Sequence, residues 1–440
     1  MKSTKEKVAL TTLGCKVNQY ESAALAEDLR KKGFSLVSFR SPADIYIINT
    51  CTVTAFSDFQ ARQLIRRAKR ANPQAKIIVT GCYAQVAAAD IASLNGVTLV
   101  IGNDQKHTIP TLLQKGAINS KGTLPDDISQ QKKFCEMPLT KFYGQTRAFL
   151  KIQDGCNSFC SYCIVPFARG KSRSLPPENI LKAVNRFTQN GYREIVLTGI
   201  HLGSYGYDLN PTANLTSILR QIMNCRKDVR FRLSSIEPGE ITDELLHLFN
   251  KQDILCSHLH IPLQSGDDKI LQLMKRNYDS GFYRILIEKI SIAFSDLAIG
   301  VDVMVGFPGE GDAEFNNTFK LLRDLPVAYL HVFPYSERPE TMAQKLYPKV
   351  PENIKKERAS ILRNLSSKKR EEFALRFLGK KLDVLVEKVK DKRTGLMKGF
   401  SNNYLPVLLE NNDSSVGGRI VKICAEKYQD GKLYGKIVPG

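Results

Sequence analysis

The chain has 440 residues, of which 42% are hydrophobic and 25% are charged. This length predicts two or three domains with cores of their own, and the ordinary composition argues against disorder and low complexity. No apolar run is long enough to cross a membrane, and the basic first residues lack the apolar stretch of a secretory signal. We therefore expect a cytoplasmic protein with no membrane partner.

The formal net charge is +20, and the sequence contains ten cysteines. Such a large positive charge predicts attraction to a polyanion, and nucleic acid is the leading candidate. A solvated basic surface without a nucleic-acid partner is the alternative. Without a secretory signal, the cysteines indicate thiols and metal ligands in a reducing compartment, not a disulfide framework.

Residues 1–115 alternate between strands and helices, which predicts a doubly wound α/β unit with a parallel sheet. Strands are expected at residues 8–13, 45–49, 76–80 and 97–101. Cys15, Cys51 and Cys82 follow the first three strands in turn-like sequences. Because the carboxyl ends of parallel strands meet at one edge of a sheet, the three thiols could share a metal site. Three buried apolar cysteines are the alternative.

Residues 116–145 are polar with little periodicity, which is typical of a linker. The α/β alternation then resumes and predicts a partial (β/α)6 barrel over residues 146–378, open on one side. Its six strands are expected at residues 147–152, 194–197, 230–233, 258–261, 300–305 and 329–333. Parallel barrels carry their chemistry at the carboxyl ends of the strands, where this sequence places glycines that let a ligand approach the backbone.

The most informative motif follows the first of these strands, where Cys156, Cys160 and Cys163 are spaced C-x3-C-x2-C. Three thiolates can hold three irons of a 4Fe–4S cluster and leave the fourth iron open to a small molecule. This spacing after a strand is the signature of radical S-adenosylmethionine (SAM) enzymes. A zinc loop with three protein ligands is the alternative.

The last part of the chain begins with a basic helical stretch at residues 354–377, which carries a net charge of +5. Residues 379–440 then show short alternating runs broken by glycines, which predict a five-stranded antiparallel barrel of the OB type. A small barrel after a basic helix is typical of an RNA-binding appendage.

Taken together, these motifs resemble the methylthiotransferases of the radical SAM class along essentially the whole chain. That family has an N-terminal domain with three cysteines, a radical SAM domain and a C-terminal TRAM domain. The resemblance rests on Gly14-Cys15-Lys16-Val17-Asn18, Asn49-Thr50-Cys51-Thr52-Val53, Gly81-Cys82-Tyr83-Ala84-Gln85, Cys163-Ile164-Val165-Pro166, Leu263-Gln264-Ser265-Gly266 and Val305-Gly306-Phe307-Pro308-Gly309-Glu310. One departure is Glu340, at a position where the family usually has glycine.

The resemblance implies SAM and two 4Fe–4S clusters, one on Cys156, Cys160 and Cys163 and one on Cys15, Cys51 and Cys82. It implies that SAM is cleaved to a radical that takes the hydrogen from C2 of an adenine, while the second cluster carries the sulfur. Thr198, Gly199, Gly306, Gly309 and Glu310 are candidates for backbone contacts to SAM. Glu237 and Gln264 are candidates for side-chain contacts, and any of the seven could be merely structural.

Within the family, residues 12–21 resemble the branch that acts on N6-threonylcarbamoyladenosine of tRNA, at position 37 next to the anticodon. Sister branches act on isopentenyladenosine in tRNA and on an aspartate of a ribosomal protein. The implied partners are a tRNA anticodon stem-loop and an electron donor such as flavodoxin or ferredoxin. Lys16 is one candidate for binding the polar, carboxylate-bearing threonylcarbamoyl group. A non-catalytic RNA-associated iron–sulfur or zinc protein is the rival class.

Overall fold

The structure is a computed structural model that describes residues 5–118, 122, 125–226, 228–250, 254–410 and 413–439. Three structural units follow one another along the chain: a five-stranded parallel sheet, an arc of six parallel strands and a small closed barrel. Among the described residues, no helix combines the length and the apolar character needed to span a membrane.

The N-terminal unit is a parallel sheet with the strand order β2-β1-β3-β4-β5. Its strands are β1 (Lys7–Thr12), β2 (Ser35–Val37), β3 (Ile45–Thr50), β4 (Lys76–Gly81) and β5 (Val97–Ile101). Its helices are α1 (Lys16–Lys31), α2 (Ala55–Ala71), α3 (Cys82–Val86), α4 (Ala88–Ser93) and α5 (Ile109–Gln114). The predicted parallel sheet is confirmed, but the sequence missed β2, because three half-buried edge residues are too short a run to show alternation.

Helices cover both faces of this sheet, as the prediction of a doubly wound unit requires. Strand β3 is buried along its whole length. Its residue Ile47 shares a core with Leu25 of α1, whereas the next residue, Ile48, packs into a second core with Ile65 of α2. Because successive side chains of a strand point to opposite faces, one apolar strand can serve both cores.

The central unit begins with β6 (Ala148–Lys151), β7 (Gln153–Asp154), α6 (Val165–Arg169), β8 (Arg173–Ser174), α7 (Pro177–Gln189), β9 (Glu194–Thr198), α8 (Leu215–Cys225), β10 (Arg230–Leu233) and α9 (Asp243–Phe249). It continues with β11 (His258–His260), α10 (Asp268–Leu273), α11 (Ser280–Ala293), β12 (Ala298–Val305), α12 (Asp312–Asp324), β13 (Tyr329–Pro334) and α13 (Glu352–Leu375). The parallel order β6-β9-β10 is joined to β11-β12-β13 by a bridge between Phe231 and Leu255. The predicted arc of six strands is confirmed.

The C-terminal unit contains β14 (Lys381–Lys390), β15 (Met397–Ser401), β16 (Pro406–Leu409), β17 (Ile420–Gln429) and β18 (Lys432–Ile437). They close into a five-stranded barrel with the order β14-β15-β16-β18-β17. The predicted five-stranded barrel is confirmed, and its pairings are antiparallel except that β16 and β18 run parallel. A closed ring with an odd number of strands cannot alternate direction all the way round, so at least one neighbouring pair must be parallel.

Helix α13 is less basic on its surface than its sequence suggests. Lys355, Arg358 and Lys369 are buried. Arg358 pairs with Glu310 and Asp312, and the Lys369 ammonium donates to two backbone carbonyls. Arg358 and Lys369 therefore fasten the helix to the rest of the central unit, and none of the three buried cations is presented to a polyanion.

The C-terminal barrel is fastened to the central unit by shared core and by two arginines of β10. Phe377, just after α13, is 1% exposed and packs among barrel residues and among residues of β12 and β13. Arg230 donates to the carbonyls of Asp383 and Phe400, and Arg232 donates to those of Ser401 and Asn402. The barrel and the central unit therefore share a core and are joined by hydrogen bonds.

Replacing Phe377 with Ala should lower the free energy of unfolding by about 3–5 kcal/mol, because it leaves a cavity where two units meet. Urea denaturation of the anaerobically purified protein measures this loss. Leu375→Ala is the matched control, since Leu375 lies two residues away on the same chain segment and is 46% exposed. Equal small losses in both variants would contradict a shared core at this joint.

Candidate active site

The cysteine loop of the central unit lies between β7 and α6, at the carboxyl end of the first barrel strand. Gly155 has φ +75°, and a Cβ atom there would lie 2.0 Å from the carbonyl oxygen of Lys171. Only glycine fits this conformation and this close approach. The loop that carries Cys156, Cys160 and Cys163 is therefore held close to the backbone that follows α6.

Polar groups of the barrel rim contact two of the three sulfurs. The Cys156 Sγ atom lies 3.5 Å from Nδ1 of His201 and accepts from the backbone N–H of Ser158 at 3.4 Å. Nη1 of Arg276 donates to the Cys160 Sγ atom at 3.3 Å. Donors and positive charge at sulfur stabilise the thiolate, which is the form that binds iron.

The pKa values of these thiols follow from their surroundings. Burial alone would raise the pKa of Cys156, but hydrogen bonds from His201 and Ser158 lower it. Burial raises the pKa of Cys163 to about 12. The pKa of His201 is raised to about 10, because its contacts with Cys156 and Glu240 outweigh burial. His201 is therefore a cation beside the cysteine loop at neutral pH.

The middle of the cysteine loop is fixed by contacts to two other rim segments. Ser161 donates through its N–H to the Met274 carbonyl at 3.1 Å and through its hydroxyl to the Leu273 carbonyl at 2.7 Å. The N–H of Ala343 donates to the Ser161 carbonyl at 2.7 Å. The loop is thus ordered by the segments that follow α10 and β13, not by its own sequence alone.

The second cysteine set lies at the carboxyl edge of the N-terminal sheet. Cys15 caps the start of α1, Cys51 follows β3, and Cys82 is the first residue of α3. Strands β1, β3 and β4 are neighbours, and the strand order reverses between β1 and β3, which is where doubly wound sheets bind ligands. Burial first, and then the nearby sulfurs of Cys82 and Cys15, raise the pKa of Cys51 to about 11.

Side chains tie the three cysteine turns to one another. The Asn18 amide donates to the carbonyls of Leu13 and Thr50, at 2.7 and 2.9 Å. The Thr50 hydroxyl donates to the Thr80 carbonyl at 2.6 Å. Gly14 leaves room for this arrangement, because a Cβ atom there would lie 2.9 Å from the Cys51 sulfur. The edge of the sheet is therefore built as one unit around the three thiols.

The number of thiols in each set discriminates between a structural zinc ion and a cluster. All six cysteines belong to the described part of the chain and are free. A structural zinc ion takes four protein ligands, whereas three thiolates can hold three irons of a cubane and leave the fourth open. A set of three cysteines therefore suits a cubane better than a structural zinc ion.

A buried network of charged side chains joins the two cysteine sets across the domain boundary. Arg169, six residues after Cys163, donates to Glu21 at 2.9 and 3.1 Å, to Asp154 at 2.9 Å and to Asn18 at 2.5 Å. Asn18 also ties the Cys15 and Cys51 turns, and Asp154 lies two residues before Cys156. One guanidinium therefore contacts residues next to both sets.

Two lysines complete this network. Lys106 lies 2.5 Å and Lys151 lies 3.0 Å from the carboxylate of Glu21. Burial alone would raise the pKa of Glu21, but the charges of Arg169, Lys106 and Lys151 hold it well below its ordinary value. Three buried cations thus face two buried carboxylates, Glu21 and Asp154. Burial raises the pKa of the nearby Cys15 thiol, and the charge of Arg169 partly offsets this effect.

Two of the seven predicted SAM contacts lie next to the cysteine loop. Glu237 forms an ion pair with Arg276, the residue that donates to Cys160. Gly309 has φ +89°, and a Cβ atom there would lie 3.4 Å from Leu273, whose carbonyl holds the loop. Glu237 is thus linked to the cysteine loop through Arg276, and Gly309 lies against Leu273; contact of either residue with SAM stays a prediction.

The other five residues predicted to contact SAM lie close to, or form hydrogen bonds with, other residues of the protein. The Thr198 carbonyl accepts from Ile152, and a Cβ atom on Gly199 would lie 2.8 Å from the Gln153 side chain. Gln264, with φ +67°, uses its backbone N–H and carbonyl to pair with β12. The remaining two are Gly306, whose N–H donates to the Glu310 carboxylate at 2.8 Å, and Glu310, which also pairs with Arg358 at 2.6 Å. Their contact with SAM stays a prediction.

The inner face of the second half of the arc carries a histidine–aspartate group that the sequence did not indicate. His260, Asp302 and His331 come from the adjacent strands β11, β12 and β13. Nε2 of His260 lies 2.8 Å and Nδ1 of His331 lies 3.4 Å from the same oxygen of Asp302. Burial and nearby charges, led by that of Arg232, hold the pKa of His258 well below its ordinary value. The inside of the arc is therefore polar.

Glu340, the departure from the family pattern, has φ +64°. This left-handed conformation is the one that glycine favours, so the loop keeps the backbone conformation expected for glycine. The same loop reaches the N-terminal unit, where Arg338 donates to Asp58 at 2.5 Å and to Thr52, next to Cys51, at 2.7 Å.

Sequence reasoning missed Glu21, Lys106, Lys151, Arg169, His201 and Arg276, although their charges lie beside the cysteines. One signal was present for Glu21, which lies on the apolar face of α1 among Val17, Ala24 and Leu25. A charged residue on the buried face of a helix requires a partner, but the sequence does not show which one.

Two family models match the chain. The uncharacterized protein family UPF0004 matches residues 7–102, and the radical SAM superfamily matches residues 150–322. The fold is also similar to that of a solved structure, the radical S-adenosylmethionine methyltransferase TsrM from Kitasatospora setae. The TM-score is 0.55 at 14% identity, and the match covers 75% of each chain. The six-stranded arc and the C-x3-C-x2-C loop define a radical SAM enzyme.

Two relatives cover nearly the whole chain. The threonylcarbamoyladenosine tRNA methylthiotransferase MtaB of Aquifex aeolicus is 40% identical over 95% of this chain and 99% of its own length. The tRNA-2-methylthio-N(6)-dimethylallyladenosine synthase of Clostridium botulinum is 32% identical over 98% of this chain and 96% of its own. The chain belongs to the family of radical SAM tRNA methylthiotransferases.

Replacing Arg169 with Met should lower the free energy of unfolding by about 3–5 kcal/mol, because it leaves buried carboxylates without their main partner. The control is Arg193→Met, which breaks an ion pair with Asp228 whose side chains are 47% and 48% exposed. That variant should lose at most about 1 kcal/mol. Urea denaturation of both proteins measures the difference, and an Arg169 variant as stable as the control would contradict the importance of the network.

Proposed function

We propose that this enzyme converts N6-threonylcarbamoyladenosine at position 37 of tRNA to its 2-methylthio derivative. The observation that carries the proposal is the pair of cysteine sets joined by the Arg169 network. They occur in a chain that is 40% identical, over nearly its full length, to a relative named for this reaction. The net charge of +20 suits a tRNA anticodon stem-loop and disfavours a basic ribosomal protein as substrate.

The cofactors of a radical SAM enzyme are an iron–sulfur cluster and SAM, and for this chain we propose two 4Fe–4S clusters. Cys156, Cys160 and Cys163 would hold the cluster that binds SAM. Cys15, Cys51 and Cys82 would hold the second. When bound, the first cluster and SAM supply radical chemistry at the target base, and the second carries sulfur. The three free cysteines of each set and the buried network of Arg169, Lys106 and Lys151 beside them support this assignment.

The protein's own groups prepare the site for these cofactors. Arg276 and His201 place positive charge at Cys160 and Cys156, which stabilises the anionic sulfurs. Arg276 also holds the Glu237 carboxylate beside the loop, where it can accept from a ligand amino or hydroxyl group. We retain Thr198, Gly199, Gln264, Gly306, Gly309 and Glu310 as proposed contacts to SAM.

We propose that the chain is divided into four segments with different functions. Residues 1–115 would form the methylthiotransferase domain, 116–145 the connection, 146–378 the radical SAM domain and 379–440 a TRAM domain that binds RNA. A separate electron donor such as flavodoxin or ferredoxin would reduce the enzyme. Its tRNA substrate and its thiol ligands point to action in the cytoplasm.

Two other functions are supported less well than this one. A methylthiotransferase for isopentenyladenosine is favoured less, because the relative named for that group is 32% identical, against 40% for the first. A non-catalytic RNA-associated iron–sulfur protein is disfavoured, since a cluster that serves only structure has no use for an open iron.

The two cysteine sets should be separable by substitution. Changing Cys156, Cys160 or Cys163 to Ala should abolish formation of 5′-deoxyadenosine from SAM, because each would ligate the cluster that binds it. Cys51→Ala should preserve that cleavage and abolish sulfur insertion. The reconstituted wild type should hold about eight irons and Cys51→Ala about four. Four irons in both proteins, with full activity of Cys51→Ala, would contradict a second cluster.

Cells that lack this protein should lose 2-methylthio-N6-threonylcarbamoyladenosine and accumulate its unthiolated precursor. Mass spectrometry of nucleosides from total tRNA measures both, and a plasmid copy of the gene should restore the wild-type pattern. Loss of the methylthio-isopentenyl nucleoside, with the threonylcarbamoyl form unchanged, would show that the substrate assignment is wrong.

A further inference from the structure

Helix α2 carries two exposed phenylalanines in its first two turns. Phe56 is 65% and Phe59 is 48% exposed. Their ring centroids lie 6.3 Å apart, and the ring planes are inclined by 25°. Residues three apart lie on the same side of a helix, so the two rings form one apolar surface. Single exposed apolar side chains are common in proteins, whereas adjacent exposed rings favour a partner that covers them.

The start of α2 is fixed where the N-terminal unit meets the central unit. The N–H of Ala55 donates to the hydroxyl of Ser336 at 3.0 Å. Asp58, which is buried, pairs with Arg338. Both partners belong to the loop after β13. The helix begins four residues after Cys51, so the two rings have a fixed position close to the end of β3 and the cysteine that follows it.

The same helix has a large surplus of positive charge. Its one carboxylate is that of Asp58, which is already paired with Arg338. Its five cations are Arg62, Arg66, Arg67, Lys69 and Arg70. Two of the five have acceptors within the protein, since Arg62 donates to a tyrosine hydroxyl at 2.8 Å and Lys69 donates to a carbonyl at 2.6 Å.

The other three cations are available to a partner. Arg66, Arg67 and Arg70 are exposed, and within the described chain their guanidinium groups have no hydrogen-bond or ion-pair partner. They lie ten to fourteen residues after Phe56, which is about 15–21 Å along the helix axis. The rings therefore lie at the end of α2 next to Cys51, and the free guanidinium groups lie toward the other end.

The rings and the three arginines share one face of α2. Successive residues of a helix are about 100° apart, which places all five side chains within about 100° of its circumference. The buried residues occupy the opposite side, and they are Asp58, Ala61, Ile65 and Ala68. The surface formed by Phe56, Phe59, Arg66, Arg67 and Arg70 is called the α2 face below.

This combination of side chains fits nucleic acid. Proteins that bind single-stranded nucleic acid use aromatic rings to stack on bases and cations to neutralise phosphates. Arginines near the carboxyl end of a helix also interact favourably with its dipole, but that effect does not account for exposed rings at the other end. An acidic protein would complement the arginines, but it has no bases to stack on the rings.

We propose that the α2 face binds the anticodon arm of the tRNA substrate. Phe56 and Phe59 stack on unpaired bases of the loop, and the three arginines contact phosphates. This inference rests on the proposed function. The RNA is then held by the N-terminal unit as well as by the C-terminal barrel. Because α2 begins four residues after Cys51, a loop stacked on its first turns lies close to the cysteine edge of the sheet.

Fluorescence anisotropy with the anaerobically reconstituted full-length enzyme tests the two rings. The probes are an anticodon stem-loop with unmodified adenosine at position 37 and a blunt RNA duplex with the same number of nucleotides. The double variant Phe56→Ser/Phe59→Ser should bind the stem-loop about fivefold to 150-fold more weakly, the range for loss of stacking on one base. Its affinity for the duplex should stay within about twofold, because the duplex has no unpaired base.

The matched control is Phe282→Ser/Ile285→Ser. It removes two side chains of α11 that are 45% and 68% exposed, and it should bind both RNAs as wild type does. Iron content and urea denaturation are measured on every variant, so that damage to the cysteine sets or to the fold is detected separately from lost RNA binding.

The arginines are tested by the salt dependence of binding. The triple variant Arg66→Gln/Arg67→Gln/Arg70→Gln should weaken binding of both RNAs, since both have phosphates. The slope of log K against log salt concentration should become about 2–3 less steep, because each phosphate contact contributes about 0.7–0.9. The control with the same change of charge is Lys182→Gln/Arg220→Gln/Lys320→Gln, which removes exposed cations from three other helices and should leave the slope nearly unchanged.

Three outcomes would overturn the inference. In the first, both α2 variants bind the stem-loop with wild-type affinity and salt slope. In the second, the serine variant binds stem-loop and duplex equally weakly, which would exclude stacking on loop bases. In the third, RNA binding is retained but SAM cleavage slows when flavodoxin replaces dithionite as reductant, which would assign the α2 face to an electron donor.

These results are separate from a failure of the proposed function. If wild type forms no methylthio product on tRNA that carries N6-threonylcarbamoyladenosine, the substrate assignment is wrong, whatever the α2 variants bind. If wild type forms this product and the α2 variants bind RNA as it does, only the inference about the α2 face is wrong.

Discussion

The bidentate contact of Arg169 with Glu21 is the interaction on which the rest of the structure depends. It crosses from the central unit to the N-terminal unit, and its partners Asn18 and Asp154 adjoin the two cysteine sets. Ion pairs buried this deeply are rarely more stable than well-packed apolar side chains of the same volume. Their advantage here is geometric, since the directions of the hydrogen bonds allow little freedom in how the two sites face each other.

A second set of contacts also joins the N-terminal unit to the central unit. The loop after β13 holds Thr52 and Asp58 through Arg338, and it also holds the cysteine loop through Ala343. The carboxyl edge of a doubly wound sheet and the carboxyl rim of a barrel are the places where these folds bind ligands. In this chain, Arg169 and the loop after β13 hold these two edges against each other.

The features that could be predicted from the sequence are those that depend on local patterns of residues. Alternation and turn residues located the six strands of the arc to within about two residues, and the spacing of Cys156, Cys160 and Cys163 indicated a cluster that binds a small molecule. The buried charged contacts could not be predicted, because each depends on a partner that is distant in the sequence. Lys151 and Glu21 are 130 positions apart in sequence, and Lys369 becomes a core residue only because two carbonyls of the α12 region accept from it. The contacts of residues such as Thr198 and Glu310 with SAM stay a prediction.

The turn between β15 and β16 makes the C-terminal barrel dependent on the central unit. Arg230 and Arg232 of β10 donate to carbonyls in and beside this turn, and the Arg232 guanidinium lies 4.8 Å from the centre of the Tyr404 ring. The barrel is therefore not a module that recombination can exchange freely among relatives. A chimera that received a foreign barrel would keep these contacts only if the foreign turn presented its carbonyls at the same places. Changes in this turn and in β10 are thus expected to be inherited together.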